Sequence, residues 1–155
     1  MRYLMTMLAF LIGMFLPLQA AINNALKTDI GDSTLLAAFV SFMVGTLTLL
    51  LFSVVTRQPV QALSSLPHLT WWKLVGGTLG ALFVFSTIYL APRIGFAAMA
   101  SLIITGQIVS SLLMDRAGFL GVPVRDISMV KLSGAVLLIA GMILVTFGDR
   151  LFPRT

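Results

Sequence analysis

The chain alternates between long apolar runs and short polar clusters. Because about 20 apolar residues carry a helix across the hydrocarbon core of a bilayer, the runs predict five membrane spans, over 4–24, 34–55, 71–91, 95–114 and 129–147. Together they make one transmembrane domain over residues 1–155, an all-α integral membrane protein. The polar clusters carry recognisable stop and start signals. Gly31-Asp32-Ser33 offers side-chain oxygens to cap the second helix, and Thr70 and Ser128 offer the same to the third and fifth. Pro92-Arg93 ends the third span, and Gly118, Gly121 and Pro123 mark the loop after the fourth. Trp71, Trp72 and Lys73 suit the headgroup level, where aromatic rings and a snorkelling ammonium are favoured.

The first run has two readings. In GMFLPLQAAINNAL, residues 13–26, the LQA triplet resembles a signal-peptide cleavage site after Ala20, but it equally suits a helix retained in the membrane. Signal peptides carry an apolar core of about 7 to 15 residues, and the run from Tyr3 to Leu18 lies at the long end of that range. A helix retained in the membrane is the expectation, and four further spans follow in either case.

Composition points the same way. Hydrophobic residues make up 59% of the chain and charged residues 10%, with a mean hydropathy of +1.06. A water-soluble fold needs charge to cover its exterior, whereas a chain facing lipid can stay apolar all round. Cys is absent, which excludes a disulfide framework and a cysteine metal site. Ten Lys and Arg against five Asp, with no Glu, give a net charge of +5. In a soluble domain that excess would point to nucleic acid. Here it fits basic loops beside anionic headgroups, with no nucleic acid partner.

Five spans place the termini on opposite sides of the bilayer. Arg2, Arg57, Lys73, Arg116, Arg125 and Lys131 collect on the side of the N-terminus, and Lys27, Arg93, Arg150 and Arg154 on the other. Six against four is a weak bias toward an inside N-terminus, compatible with insertion in both orientations.

No Asp or Glu lies in the middle of any apolar run, which argues against a proton antiporter built on a buried carboxylate. The only His, His68, sits in a polar loop without partners for a triad or a metal site, so neither an enzyme nor a metal or other cofactor is expected. What the spans do hold is uncharged polar groups at helical spacing. Gln19 and Asn23 are i, i+4 on the first helix, one turn beyond Pro17, which leaves the Gly13 carbonyl without its helical donor. Gln107 and Ser111 repeat the spacing on the fourth, with Ser110 beside them. Ser101 and Thr105 form a second strip there, and Ser86 and Tyr89 lie near the end of the third. Such groups often do no more than bond a neighbouring helix, each contributing about 0.6 to 2 kcal/mol. Full amides are harder to leave in hydrocarbon, so Gln19, Asn23 and Gln107, with Ser111 and Tyr89, are the candidate lining of a substrate cavity.

Small residues mark candidate packing or dimer faces: Gly76 and Gly80 as GxxxG, Gly77 with Ala81, and Gly134 with Gly141. Asp115 falls in the last turn of the fourth span, where the helix dipole disfavours an anion. Pairing with Arg116 or Arg125 is the plainer role for it, and a gate or subunit contact the sharper one.

Along nearly its whole length the chain resembles the YdcZ family, five-span members of the drug/metabolite transporter superfamily. The resemblance runs through LPLQAAINNAL at 16–26, AAFVSFMVGTLTLLL at 37–51, WWKLVGGTLGALFVFSTIYLAPRIG at 71–95, and GQ at 106–107 followed by LLMDRAGFLGVP at 112–123. It implies a half-transporter of the bacterial inner membrane, two copies of which assemble antiparallel into a ten-helix unit with inverted repeats. The partner is then a second copy of the chain or an oppositely oriented sister subunit. Alternating access at the midplane of an amide-lined site suits a small neutral, zwitterionic or weakly charged solute. A dual-topology ion channel and an accessory membrane subunit without activity of its own are the competing expectations.

Overall fold

The computed structural model describes residues 2–118 and 123–151, so Gly121, Arg154 and Thr155 lie outside the described residues. The described residues form helices α1 (Arg2–Gly13), α2 (Phe15–Asp29), α3 (Thr34–Val55), α4 (Val75–Ile94), α5 (Phe96–Ala117) and α6 (Met129–Leu151), and no strand occurs among them. Two 3-10 segments, Val60–His68 and Trp71–Leu74, precede α4. Five stretches are long and apolar enough to cross a bilayer: Tyr3–Asp29, Thr34–Val55, Trp71–Ile94, Phe96–Ala117 and Met129–Leu151.

The first span differs from expectation in two ways. It is built from two helices, because Pro17 has no N–H to give the Gly13 carbonyl. The ladder slips at Met14, whose N–H reaches back only to the Leu11 carbonyl, at 3.1 Å. Met14 keeps helical dihedrals (φ −69°, ψ −20°), so α1 and α2 continue as one kinked apolar stretch. The span also runs to Asp29 rather than stopping at Asn24. Ile22, Leu26 and Ile30 continue its apolar face at helical spacing, and Leu26 and Ile30 pack on the core.

The caps follow the sequence in two of three places. Ser33 accepts the Leu36 N–H at 3.2 Å and Ser128 that of Lys131 at 3.3 Å, while Thr70 makes no side-chain cap. Trp71–Leu74 accordingly winds as 3-10 before α4 begins. Pro92 does not end α4 but sits in its last turn, leaving the Ile88 carbonyl without its helical donor. The helix stops at Gly95, whose φ of 84° a residue with a side chain rarely adopts.

The chain divides into two compact units, Met1–Arg93 and Ile94–Thr155. In the first, Ala37 and Ala38 of α3 meet Val84 and Ile88 of α4, with Leu26, Ile30, Phe83 and Phe85 packed around them. Alanines at the contact let the helices close on a small core, while Leu, Phe, Met and Val side chains cover the outside. That distribution suits lipid as solvent. In the second unit α5 packs along α6, and the Ser101 and Thr146 hydroxyls lie 3.4 Å apart between them. Helix α5 closes on Gly118 in the left-handed region (φ 61°, ψ 33°), whose N–H returns to the Met114 carbonyl.

Candidate functional site

Helices α2 and α3 form a hairpin around a turn in which Gly31 and Asp32 both take positive φ, 75° and 56°. Asp32 tolerates that conformation better than most residues, and its carboxylate holds the Lys27 ammonium at 3.0 Å. The Lys27 side chain is largely buried and Asp32 largely exposed, so the pair ties the end of α2 across the turn. In a hairpin, positions equally far from the turn face one another. Gln19 and Asn23 on α2 therefore come opposite Val44, Val40 and Ser41 on α3.

There the structure holds a groove of about 390 Å³. Its polar edge is Gln19, Asn23 and Ser41, and its walls are Phe15, Leu18, Ile22, Leu26, Val40 and Val44. No charged side chain lines it. Asn23 is only 4% exposed, and its Nδ2 is buried without a hydrogen-bond partner. Gln19 is exposed along the same face, and Ser41 is half-buried. Most hydroxyls on α3 are spent locally: Thr46, Thr48 and Ser53 donate to the carbonyls of Phe42, Val44 and Leu49. Ser41 makes no such bond. Sequence reasoning passed over it as one hydroxyl in AAFVSFMVG, although the turn at Gly31-Asp32 places it across from Ile22 and Asn23.

The other candidate residues fall elsewhere. Tyr89 does not line this groove. It stacks on Phe85, with ring centroids 6.3 Å apart, and lies under the Arg93 guanidinium, 3.5 Å from the ring centroid. Arg93 also donates from Nη1 to the Tyr89 carbonyl. Gln107 and Ser111 belong to the second unit, where the Ser111 hydroxyl donates to the Gln107 carbonyl at 2.7 Å. The Gln107 side chain itself is exposed. Asp115 serves through its backbone, its carbonyl accepting the Arg125 N–H at 2.8 Å. Among the described residues the ion pair is Lys27–Asp32, and the Asp115 carboxylate makes none.

Of the candidate packing glycines, Gly80 has a neighbour, since a methyl group there would sit in ordinary van der Waals contact with Phe42 Cζ at 3.4 Å. At Gly76, Gly77, Gly134 and Gly141 such an atom would meet nothing within 4 Å. Gly141 instead lines a groove of about 350 Å³ between α5 and α6, beside Ser101 and Thr105. A largely apolar groove of about 430 Å³ lies between α3 and α4.

Comparison with known proteins places these features in a family. The model of the family described as "Putative inner membrane exporter, YdcZ" matches residues 4–144. The chain belongs to the YdcZ family. With five apolar spans, that makes it a multi-pass protein of the inner membrane. The Inner membrane protein YdcZ of Escherichia coli (strain K12) is 35% identical over 75 residues, which is 48% of this chain and 50% of the relative. The chain thus aligns with half the length of that curated relative. No solved structure matches the chain at a significant level.

Proposed function

We propose that the chain is one half of a YdcZ-family transporter, moving a small neutral, zwitterionic or weakly charged solute across the inner membrane by alternating access as an antiparallel dimer. The observation that carries this reading is the α2–α3 groove, in which amide and hydroxyl groups meet within a membrane hairpin without any charge. A strongly charged solute would be desolvated there without a counter-charge. A family described as exporters supports the transport class.

Two further features support a dimer. The charge bias between the two faces is weak, and α5 carries an exposed amide, Gln107, in the middle of an apolar span. An uncovered amide is unfavourable in hydrocarbon. A second copy of opposite orientation would both cover such groups and place two equivalent grooves about the membrane midplane.

Orientation is testable directly, because the chain has no Cys. Single Ser64→Cys and Thr155→Cys variants are treated in intact cells with a membrane-impermeant thiol reagent. Each is expected to label in about half of the molecules, as dual insertion requires. Labelling at one site only would overturn the homodimer and leave an oppositely oriented sister subunit as the partner. Solute flux in liposomes then separates a carrier from a channel, whose ion conduction would far outrun a cycle of microsecond-to-second motions.

A further inference from the structure

We propose that the α2–α3 groove selects a neutral molecule with an apolar body and a hydrogen-bond acceptor, and that the Asn23 amide is the group that recognises the acceptor. The proposal deepens the transport reading and rests on it for calling that molecule the solute.

Asn23 carries an orphan donor. An Asn NH2 group has two N–H donors, and at Asn23 it is buried with no partner. Leaving such a group unmade is unfavourable, and native proteins keep few of them without a functional reason. The adjacent residue shows that α2 can satisfy an amide: Asn24 Nδ2 donates to the Ala20 carbonyl at 3.0 Å. Asn23 instead lines the groove with its Nδ2 buried at the wall, beside the unbonded Ser41 hydroxyl and Gln19. The terminal torsion of an Asn side chain is soft, so the amide can turn its N–H groups toward an incoming acceptor.

The rest of the lining sets the class of ligand. Apart from these three residues the walls are apolar, so most of the ligand surface must be apolar as well. The nearest cation in sequence, Lys27, is engaged by Asp32. A carboxylate or phosphate therefore finds no free positive charge in the lining, and an ammonium finds no negative one. A volume of about 390 Å³ suits a small molecule. A ketone, ester or amide on an aromatic or aliphatic body fits all of these conditions. A donor-only amine would leave the Asn23 N–H groups as they are.

The probe for the test is benzophenone, a neutral diaryl ketone that crosslinks to nearby C–H bonds under near-ultraviolet light. The full chain in lipid nanodiscs is labelled, digested, and the modified peptides identified by mass spectrometry. Labelling is expected on the α2 and α3 peptides at Ile22, Val40 or Val44. Excess acetophenone should suppress it, while ethylbenzene, similar in shape but lacking the acceptor, should do so about tenfold less effectively, the difference one hydrogen bond makes. Asn23→Leu should weaken labelling by a similar factor. Equal competition by the two compounds would overturn the proposal, as would labelling confined to other helices. The competitor pair is read on the unaltered protein, so the result stands even where the variant fails to fold. Acceptor-selective labelling without solute flux in liposomes would refute the transport reading and leave the site. Flux unaffected by Asn23→Leu or by acetophenone would refute the site and leave transport.

Discussion

Asn23 and Asn24 are neighbours on one helix with opposite fates: Asn24 Nδ2 bonds the Ala20 carbonyl at 3.0 Å, while Asn23 Nδ2 is more deeply buried and bonds nothing. A packing role explains the first and not the second. Asn23→Leu should therefore leave the thermal stability of the detergent-solubilised protein unchanged or raise it, since it removes an unpaired buried donor worth about 1 to 3 kcal/mol. Asn24→Leu, which removes a bonded amide, should give no such gain. A clear loss of melting temperature in Asn23→Leu would mean that the amide already has a partner in the assembled protein.

At the turn below, Asp32 combines a positive φ of 56° with the ion pair to Lys27. The two contributions separate by substitution. Asp32→Asn keeps a side chain that tolerates the left-handed region and loses only the half-exposed pair, a cost of no more than about 1 kcal/mol. Asp32→Val adds the left-handed penalty of a residue with a branched side chain, about 1 to 2 kcal/mol more. Thermal unfolding should rank wild type, Asn and Val in that order, and equal melting of the two variants would contradict the backbone argument.

The span boundaries were largely legible because apolar runs and capping residues carry them, as Ser33 and Ser128 illustrate. Polarity alone is a poor guide to a span's edge. Asn23 and Asn24 look like the exit of the first span, yet Asn23 is among the most buried of the described residues, and Leu26 and Ile30 extend the packed apolar face beyond it. Pro92 looked like a terminator, but a proline in a last turn costs a helix little, and Gly95 is the true stop. At the groove, Gln19 and Asn23 were visible as an i, i+4 pair. Ser41 was not, because its place in the groove comes from the hairpin that brings α3 opposite α2. Tyr89 carried a hydroxyl and an aromatic ring that suit a cavity, but in the fold its ring serves Arg93.

The glycines divide by what surrounds them. Gly80→Leu should force the Phe42 ring aside, since even a methyl carbon would sit 3.4 Å from Phe42 Cζ, and should cost about 1 to 3 kcal/mol by overpacking. Gly76→Ala and Gly134→Ala meet nothing within 4 Å in the chain and should stabilise their helices by up to about 1 kcal/mol. Chemical crosslinking of the proposed dimer supplies the check. Loss of dimer in either alanine variant would place that glycine at the contact with a second subunit.

Gln107 is the exposed amide of α5. Because a second copy is proposed to cover this amide, Gln107→Leu should shift the protein toward monomer in size-exclusion chromatography while leaving the α2–α3 groove intact. An unchanged elution position would remove Gln107 from the proposed subunit contact.

If the α2–α3 groove is reached from both sides of the membrane in turn, a thiol at Ser41 reports it. A Ser41→Cys variant in sealed liposomes, the chain having no other Cys, is exposed to a small charged thiol reagent added outside only. Alternating access would carry modification to completion, since each groove would open to the outer solution in turn. A plateau near half would indicate two fixed orientations without alternation, and no modification at all would show the groove facing lipid or sealed by packing. Either result would contradict alternating access at this groove.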